Sequence, residues 1–481
     1  MDGAEGSSER PRPGTAPTIS LPNLLWLLAV AAALAFVLLE PLLSFPLFGS
    51  DTGEYYRLSQ SIALSGHLPG SYGGWGSAYP DFPGTFLLTA AASGATGSDL
   101  LVTLTVAIPL LAALSIVPLF LLFRRIFPND TIAIVGAGLA SLAFPRTFSL
   151  AHPAPLALGD LLVVAALWMF VEGRRDARWY LPLGLTAGAL IVTHHLSSYF
   201  FVVSALGSLV LLELWRPRSW SRRFPGRELA FLLAFLLGLF ADWFEYARSF
   251  LPTVSEGSLG NGPGEFLVFE GVAVGGIALA GLAIRACRAR PIAPLTVRMP
   301  SDRSVARDFL LILAASFVGI AILLAYPLPG THQTTTASAV LYFSPVLALA
   351  SLAAGTRRLV TASRIGPLVL AWTAVVGLSA LVALATSDPT LSPARHAEYL
   401  VIPLGLLVAV GLGRLVARWG DARGRGAFLA GGIGIVLLLA ANGAVAYPPP
   451  ADLGGFQEGL TPGDAALYGW VGMGLPPNAT V

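Results

Sequence analysis

Long uncharged apolar runs constrain the fold of this chain more than any other feature of its sequence. Residues 21–39, for example, contain no charged side chain. Hydrophobic residues make up 55% of the chain and charged residues 12%, whereas soluble domains contain about 25% charged residues. Because a run of about 18 or more apolar residues can cross a bilayer as a helix, the sequence predicts an all-α membrane protein and excludes a soluble fold.

The apolar runs predict about thirteen transmembrane helices, with roughly 20 residues needed for each crossing. The predicted spans are 21–43, 100–123, 131–145, 156–172, 179–194, 196–214, 229–247, 265–284, 308–326, 338–354, 366–386, 398–415 and 426–446. The chain is thereby divided into a disordered cytoplasmic tail at 1–20, a transmembrane domain at 21–446 with a long first outer loop at 44–99, and an outer C-terminal segment at 447–481 that we expect to be incomplete.

The arginines predict the orientation of these spans. All 29 basic residues are arginine, and cytoplasmic loops carry an excess of basic residues. With the N-terminus inside, 25 arginines fall in inner loops, and the outer segments hold only Arg57, Arg146, Arg248 and Arg395. This distribution favours an odd number of spans with the C-terminus outside. A further span at 83–96 would move every later loop to the opposite side of the membrane. We therefore interpret that stretch as a short helix at the outer surface.

The composition also excludes several classes of function. The single cysteine, Cys287, rules out an intramolecular disulfide and a cysteine metal cluster. The net charge is only +2, and the basic residues are spread over many short loops, so no nucleic-acid partner is predicted. The sequence has no glycine-rich phosphate loop and no dinucleotide-binding pattern, so no nucleotide cofactor is predicted either.

The first outer loop carries two carboxylates shortly after the first span. Asp51, Glu54, Tyr55 and Leu58 follow one another at spacings that place them on one face of a helix. Such a carboxylate pair can act as a general base or form part of a cation site. The alternative is a solvated surface helix that Ser50 or Asp51 caps.

Aromatic residues alternate with glycine and proline farther along the same loop. Tyr72, Trp75 and Tyr79 all lie within the segment 70–83. Their rings can line a site for a sugar or a lipid head group, because rings pack on the apolar faces of sugars. The same residues can equally form an aromatic belt at the membrane interface.

The outside arginines and the histidines are the remaining candidates for polar site residues on the outer face. Arginine matches phosphate geometry with two hydrogen bonds, and Arg395 lies at the outer entry of a span. The alternative for each outside arginine is a salt bridge with a neighbouring acid. The six histidines have no metal-site spacing and can be polar residues at the membrane boundary; they are His67, His152, His194, His195, His332 and His396.

Ionisable residues at membrane depth keep a second class of function open. Asp160, Asp242, Glu245 and Glu270 fall within predicted spans, where such residues usually face a cavity or a charged partner. They are compatible with a transporter or flippase of a lipid-linked or polar substrate. The absence of inverted repeats and the long first outer loop argue against that alternative.

The topology and several short motifs resemble the GT-C superfamily of polytopic membrane glycosyltransferases. Within it, the chain is most similar to archaeal relatives of the oligosaccharyltransferase catalytic subunit. The matching features are the thirteen spans, the first-loop acidic motif at Asp51 to Tyr55, the short helix that starts at Pro83, the pair Arg395 and Tyr399, and Trp470 after the last span. The segments 152–159 and 193–199 also resemble archaeal members.

Three features depart from that family. The second outer loop carries Ser149 and His152, where oligosaccharyltransferases have paired acids. The sequence from Thr253 to Glu256 resembles a fifth-loop motif of the family but lies in the predicted fourth loop. The family's tryptophan-tryptophan-aspartate motif would lie beyond Val481. The resemblance therefore leaves both the acceptor and the metal open.

The resemblance implies an inverting glycosyltransferase that moves a sugar or oligosaccharide from a polyprenyl-phosphate or polyprenyl-diphosphate donor to a protein, glycan or lipid acceptor. It implies a multi-pass protein of the plasma membrane, surrounded by lipids, with its active site facing outside. A divalent ion, Mg or Mn, is the implied cofactor.

The same resemblance assigns roles to particular residues. Asp51 and Glu54 are the implied catalytic residues. The implied ligands of the donor phosphate are Arg395, Arg146 and His332. The implied substrate-lining residues are Tyr55, Trp75, Tyr79, His152, Glu256 and Tyr399, and Asp51 and His152 are the implied metal ligands.

The implied reaction also predicts a geometry. In-line attack places the acceptor and the leaving phosphate on opposite sides of the anomeric carbon. Asp51 and Arg395, which are 344 residues apart, are therefore expected to face one outer chamber without forming a direct salt bridge. A transporter would instead have its deepest polar cavity near Asp160 or Glu270.

The predicted orientation can be tested by cysteine labelling in intact cells. Cysteines placed beside Arg57, Arg146, Arg248 and Arg395 are expected to react with a membrane-impermeant maleimide, because these residues fall in outer segments. A cysteine placed near Arg290 is expected to stay unlabelled. Labelling at that position would contradict the assigned topology.

Overall fold

Apolar helices make up most of the part of the chain that is described. The computed structural model describes residues 19–69, 72, 76, 78–144, 146–215, 225–250, 366–386, 393–418, 459–464 and 466–467, with scattered helical positions between 276 and 353. Of the residues with predicted roles, Trp75, Glu256, Glu270 and His332 lie outside this set.

The first half of the chain forms ten helices and one short strand. Their bounds are α1 Leu21–Leu39, α2 Pro41–Ser44, β1 Leu47–Phe48, α3 Thr52–Ser65, α4 Gly84–Thr96, α5 Leu100–Val102, α6 Ile108–Ala113, α7 Ile116–Ile126, α8 Asp130–Leu142, α9 Arg146–Ala151 and α10 Pro155–Gly173. A π-helical turn at Thr103–Ala107 joins α5 to α6, and a 3₁₀ turn at Tyr79–Asp81 precedes α4.

The second half continues the bundle. Its elements are α11 Tyr180–Thr193, α12 His195–Val202, α13 Ser208–Trp215, α14 Gly226–Ala241, α15 Gly366–Thr386, α16 Pro393–Arg418 and β2 Gly459–Leu460. A 3₁₀ turn at Ala177–Trp179 precedes α11, and π-helical turns at Val203–Gly207 and Asp242–Tyr246 follow α12 and α14.

These helices agree with much of the predicted membrane domain. Nine of the thirteen predicted spans contain a described helix, and six helical segments are long and apolar enough to cross a membrane. The short helix expected at 83–96 is present as α4. The four other predicted spans, 265–284, 308–326, 338–354 and 426–446, lie outside the described residues apart from scattered positions, so the number thirteen stays a prediction.

Contacts between helix ends define two polar ends of the bundle. At one end, Arg174 pairs with Glu213 on α13 at 3.2 Å and with Glu228 on α14 at 3.4 Å. Arg124–Asp130 and Arg125–Glu172 pairs lie in the same set of loops. We call this the Arg174 end.

The opposite end of the bundle carries the loops predicted to lie outside. There the ring of Phe48 lies 4.6 Å from that of His152, and Ser149 donates a hydrogen bond to Glu398. A Cβ atom at Gly84 would lie 2.3 Å from the hydroxyl of Thr193. We call this the Asp51 end, because Asp51 follows Phe48 by three residues.

Small residues allow α8 and α16 to pack with their backbones in direct contact. A Cβ atom at Gly405 would lie 2.9 Å from both the amide nitrogen of Ala140 and the carbonyl oxygen of Gly136. Small side chains at helix interfaces are typical of membrane proteins, where dispersion forces rather than the hydrophobic effect drive helices together. This contact fixes α16, the helix that carries Arg395, against the centre of the bundle.

A short antiparallel strand pair joins the first outer loop to the C-terminal segment. Leu47 pairs with Leu460 and Phe48 with Gly459. Gly49, directly after β1, has a φ of 103°, a conformation that glycine adopts at little cost. The chain therefore turns sharply between the strand and α3.

The close contact of α8 and α16 generates a stability prediction. Gly405→Ala is expected to lower the apparent Tm of the purified protein, because overpacking against a rigid backbone costs about 1–3 kcal/mol. Gly377→Ala in α15 is the matched control, since a Cβ there meets no atom of the described residues within 4 Å. The control should be neutral or slightly stabilising, because alanine favours helix. Equal apparent Tm values for the two variants would contradict the packing argument.

Candidate active site

The carboxylate of Asp51 is held by two tyrosines at the start of α3. Its Oδ2 accepts hydrogen bonds from the hydroxyls of Tyr79 at 2.6 Å and Tyr55 at 3.2 Å, and Oδ1 accepts from Ser50 Oγ at 3.3 Å. Asp51 occupies the N-cap position of α3, but its side chain caps no backbone amide. The alternative in which the Asp51 side chain caps α3 is therefore wrong, because its carboxylate accepts hydrogen bonds from the two tyrosine hydroxyls instead.

The two tyrosines are themselves fixed by packing. The Tyr55 ring is buried, stacks on Phe86 at 5.8 Å and meets the edge of Tyr79 at 5.1 Å. A Cβ atom at Gly76 would lie 2.3 Å from the Tyr79 ring, so the loop backbone runs directly beside that ring. Tyr55 and Tyr79 thus position Asp51, a role beyond the substrate lining that was predicted for them.

Both phenols remain protonated donors near neutral pH. Burial, followed by the hydrogen bond to Asp51, raises the pKa of Tyr79 well above its ordinary value. Burial also raises the pKa of Tyr55. The positive charge of Arg395 acts in the opposite direction on the pKa of Tyr79. Both hydroxyls can therefore donate to Asp51.

Glu54 is the second predicted acid of this loop. Its side chain is partly buried, and its Oε2 atom has no hydrogen-bond partner among the described residues. Leaving a carboxylate oxygen buried without a donor costs free energy. Glu54 Oε2 is therefore an unused hydrogen-bond acceptor in the described structure.

Arg395 lies at the first turns of α16 with its side chain 45% exposed. Its Nη1 lies 3.5 Å from Oε1 of Glu398, and that same oxygen accepts a hydrogen bond from Ser149 Oγ at 2.5 Å. Glu398 is buried. A buried carboxylate anchored to α9 thus orients a half-exposed guanidinium, which is an arrangement suited to binding an anion.

Tyr399 was predicted to line the substrate site, but the structure places it in the helix core. Its ring is buried and stacks on Phe200 at 4.0 Å. Its hydroxyl lies 2.8 Å from Ser197 Oγ, which lies 2.8 Å from His194 Nδ1. Because Nδ1 also accepts the backbone N–H of Ser197, Ser197 donates to His194 and Tyr399 donates to Ser197.

His152 lies beside the turn that leads to Asp51. Its Nδ1 is 2.8 Å from the carbonyl oxygen of Phe148, and its ring packs on Phe48. A Cβ atom at Gly49 would lie 2.9 Å from the His152 ring. His152 therefore supports the turn from β1 to α3 by packing.

The divalent ion implied by the family resemblance stays a prediction. No group of three or more His, Cys, Asp or Glu side chains in the described part of the chain could hold one. Of the two predicted ligands, Asp51 already accepts two tyrosine hydroxyls through one oxygen, and His152 uses Nδ1 for a backbone carbonyl.

Arg146 was predicted to contact the donor phosphate, but it is buried and ion-paired. Its guanidinium pairs with Asp160 on α10 through both Nε and Nη2. It also donates to the carbonyl oxygen of Ala140 and to Ser115 Oγ, each at 3.3 Å. With 1% of its surface exposed, Arg146 lies outside the candidate site.

The sequence indicated only part of what orients the site. A salt bridge with a neighbouring acid was the alternative for Arg395, and Glu398, three residues farther along the helix, is that acid. Ser149 is 249 residues from Glu398, and no local pattern indicates their contact. The hydrogen bonds from Tyr399 to Ser197 and from Ser197 to His194 could not be predicted from a local pattern either.

No protein-family model and no curated protein matches the sequence. Solved structures of the oligosaccharyltransferase of Archaeoglobus fulgidus do match. The apo form aligns with a TM-score of 0.57 at 17% identity, and the complex of AglB with an inhibitory peptide and a dolichol-phosphate aligns with a TM-score of 0.54 at 15% identity. Each alignment covers 95% of this chain and 59% of that enzyme.

These alignments confirm, at the level of fold, the resemblance to archaeal relatives of the oligosaccharyltransferase catalytic subunit. The identity is low, so the likeness concerns the fold alone. The chain spans about three-fifths of the length of the enzyme it matches.

The buried ion pair generates a second stability prediction. Asp160→Asn is expected to destabilise the protein by about 3–5 kcal/mol, because it leaves the Arg146 charge buried without a counter-charge. Glu245→Gln is the control, since the Glu245–Arg248 pair is 79% and 67% exposed and such pairs contribute about 0–1 kcal/mol. The fraction of protein that stays monodisperse after heating measures both. Similar heat resistance would show that Asp160 is not required to balance Arg146.

Proposed function

We propose that the chain is a membrane glycosyltransferase that moves a sugar or oligosaccharide from a polyprenyl-phosphate or polyprenyl-diphosphate donor to an acceptor. The observation that carries the proposal is that Asp51 and Arg395, 344 residues apart in sequence, lie at the same end of the bundle. Arg395 pairs with Glu398, which accepts a hydrogen bond from Ser149 on α9. Phe148 of the same helix packs on Phe48, beside the turn that carries Asp51. The shared fold with an enzyme solved in complex with a dolichol-phosphate supports the proposal.

The roles of the two charged groups follow from their surroundings. Among the described residues, Asp51 Oδ1 accepts only the weak hydrogen bond from Ser50, so it can accept a proton from the acceptor nucleophile while Tyr55 and Tyr79 hold Oδ2. Arg395 stabilises the negative charge that develops on the leaving phosphate. The bond from the anomeric carbon to the phosphate oxygen breaks as the bond to the acceptor forms, with inversion at that carbon.

The remaining assignments complete the proposal. The Asp51 end is the outer face of a plasma-membrane protein, since it carries the loops that are poor in arginine. The donor's lipid tail stays in the bilayer, and the acceptor is a protein, glycan or lipid. Glu54 contributes the second acceptor of hydrogen bonds.

The transporter alternative has less support. It requires a polar cavity near the middle of the membrane domain, and Asp160 was its main candidate. Asp160 is engaged with Arg146, which two further groups also hold in the described structure. Glu270, the other candidate, lies outside the described residues.

Replacement of Asp51 tests the proposed function. In a strain lacking the gene, Asp51→Asn is expected to restore surface glycans about 10²–10⁴-fold less efficiently than the wild type, the usual contribution of a general base. Lipid-linked sugars should accumulate, as measured by mass spectrometry of lipid extracts. Asparagine keeps an oxygen that the tyrosines can donate to, so the folded protein should persist.

The matched control is Asp99→Asn at the other end of the same loop. Asp99 caps α5 by accepting the amides of Leu101 and Val102, and asparagine caps equally well. This variant should complement fully. Normal glycans with Asp51→Asn at wild-type protein levels would refute the catalytic assignment.

A further inference from the structure

The strand pair between the first outer loop and the C-terminal segment lies next to the proposed catalytic acid. β1 ends at Phe48, and Asp51 follows after a tight turn. Thr52 Oγ1 donates to the carbonyl oxygen of Phe48 at 2.8 Å, and the Thr52 amide donates to that of Gly49 at 3.2 Å. The strand and the turn that carries Asp51 therefore form one hydrogen-bonded unit.

The C-terminal strand packs tightly against this unit. Gly459 pairs with Phe48, and a Cβ atom at Gly459 would lie 2.3 Å from the ring of Phe45. Phe48 is buried on its other side against His152 and Phe148. β1 is thus clamped between the bundle and β2, with no room for a side chain at Gly459.

A local motif shapes the chain directly after β2. The Thr461 amide and hydroxyl donate to Asp464 Oδ2 at 2.8 and 2.7 Å, and the Asp464 amide donates to Thr461 Oγ1 at 3.2 Å. These reciprocal bonds fix a turn between residues 461 and 464. The segment 459–464 therefore has a defined conformation beside its contact with β1.

We infer that the segment 459–464 is a positioning element for Asp51: its pairing with residues 47–48 holds the turn that presents the carboxylate. The inference rests on the proposed function for its effect on activity, while the pairing itself can be tested without it. The segment acts through the backbone of the first outer loop and touches neither donor nor acceptor.

Two glycines of this segment provide a matched pair of substitutions. Gly459→Ala would drive a methyl group into the Phe45 ring, whereas a Cβ at Gly463 meets, among the described residues, only Thr461 Oγ1 at 3.6 Å. In the deletion strain, Gly459→Ala is expected to reduce surface glycans at least tenfold, and Gly463→Ala to leave them unchanged. Adding Phe45→Ala to Gly459→Ala removes the colliding ring and should restore glycans.

A disulfide measures the pairing independently of activity. In a Cys287→Ala background, Leu47→Cys with Leu460→Cys is expected to crosslink under mild oxidation, because paired Cα atoms lie about 4.5–5.5 Å apart and disulfides span that distance. Gly459→Ala should suppress this crosslink. Leu47→Cys with Leu467→Cys is the control, and it should crosslink much less.

Each outcome decides the inference. Failure of the 47–460 crosslink at normal protein levels would overturn the pairing. Loss of the crosslink in Gly459→Ala with unchanged glycans would overturn the positioning role. If Asp51→Asn also leaves glycans unchanged, the proposed function fails instead, and the crosslink still reports whether the strands pair.

Discussion

The buried ion pair of Arg146 and Asp160 is the interaction on which the arrangement of the Asp51 end depends. A charge inside an apolar bundle is stable only with a counter-charge and hydrogen bonds. Arg146 receives these from α10, from Ser115 before α7 and from the end of α8. Four elements must therefore meet around one guanidinium. The helix α9 begins at Arg146 and carries Ser149, which holds Glu398, and Phe148, which packs on Phe48. The position of the candidate site thus depends on a buried pair that lies outside it.

Close backbone contacts extend this arrangement to the helices that carry the remaining site residues. Gly405 packs on the backbone of α8, and a Cβ at Gly159 would lie 2.6 Å from Ser197 Oγ and 2.9 Å from His194 Cβ. The first contact holds α16 against α8 and the second holds α12 against α10, and Tyr399 of α16 reaches Ser197 of α12. Since helices in lipid associate through packing and hydrogen bonds, a glycine at each of these crossings allows the two helices to approach closely.

The membrane-spanning helices could be predicted from the sequence because they are long apolar runs, and hydropathy alone identifies such segments. The first-loop acid could be located because it starts a helix next to a span. The partners of the polar residues could not be predicted. Tyr79 reaches Asp51 across 28 residues of a loop rich in glycine, and Arg146 has the same sequence context whether it binds phosphate or Asp160. Packing between segments that are distant in sequence decides which partner each polar residue takes. Such packing leaves no periodic signal in the sequence.

The two ends of the bundle use arginine differently, and the difference supports Arg395 as the anion-binding group. At the Arg174 end, Arg124, Arg125 and Arg174 have side chains only 19–27% exposed and are paired with acids from neighbouring helices or loops. Arg248 is well exposed, but so is its partner Glu245, so neither fixes the other. Arg395 alone among these combines a half-exposed guanidinium with a buried carboxylate that Ser149 anchors. Such a guanidinium is oriented before the ligand arrives, so less conformational entropy is lost when a phosphate binds.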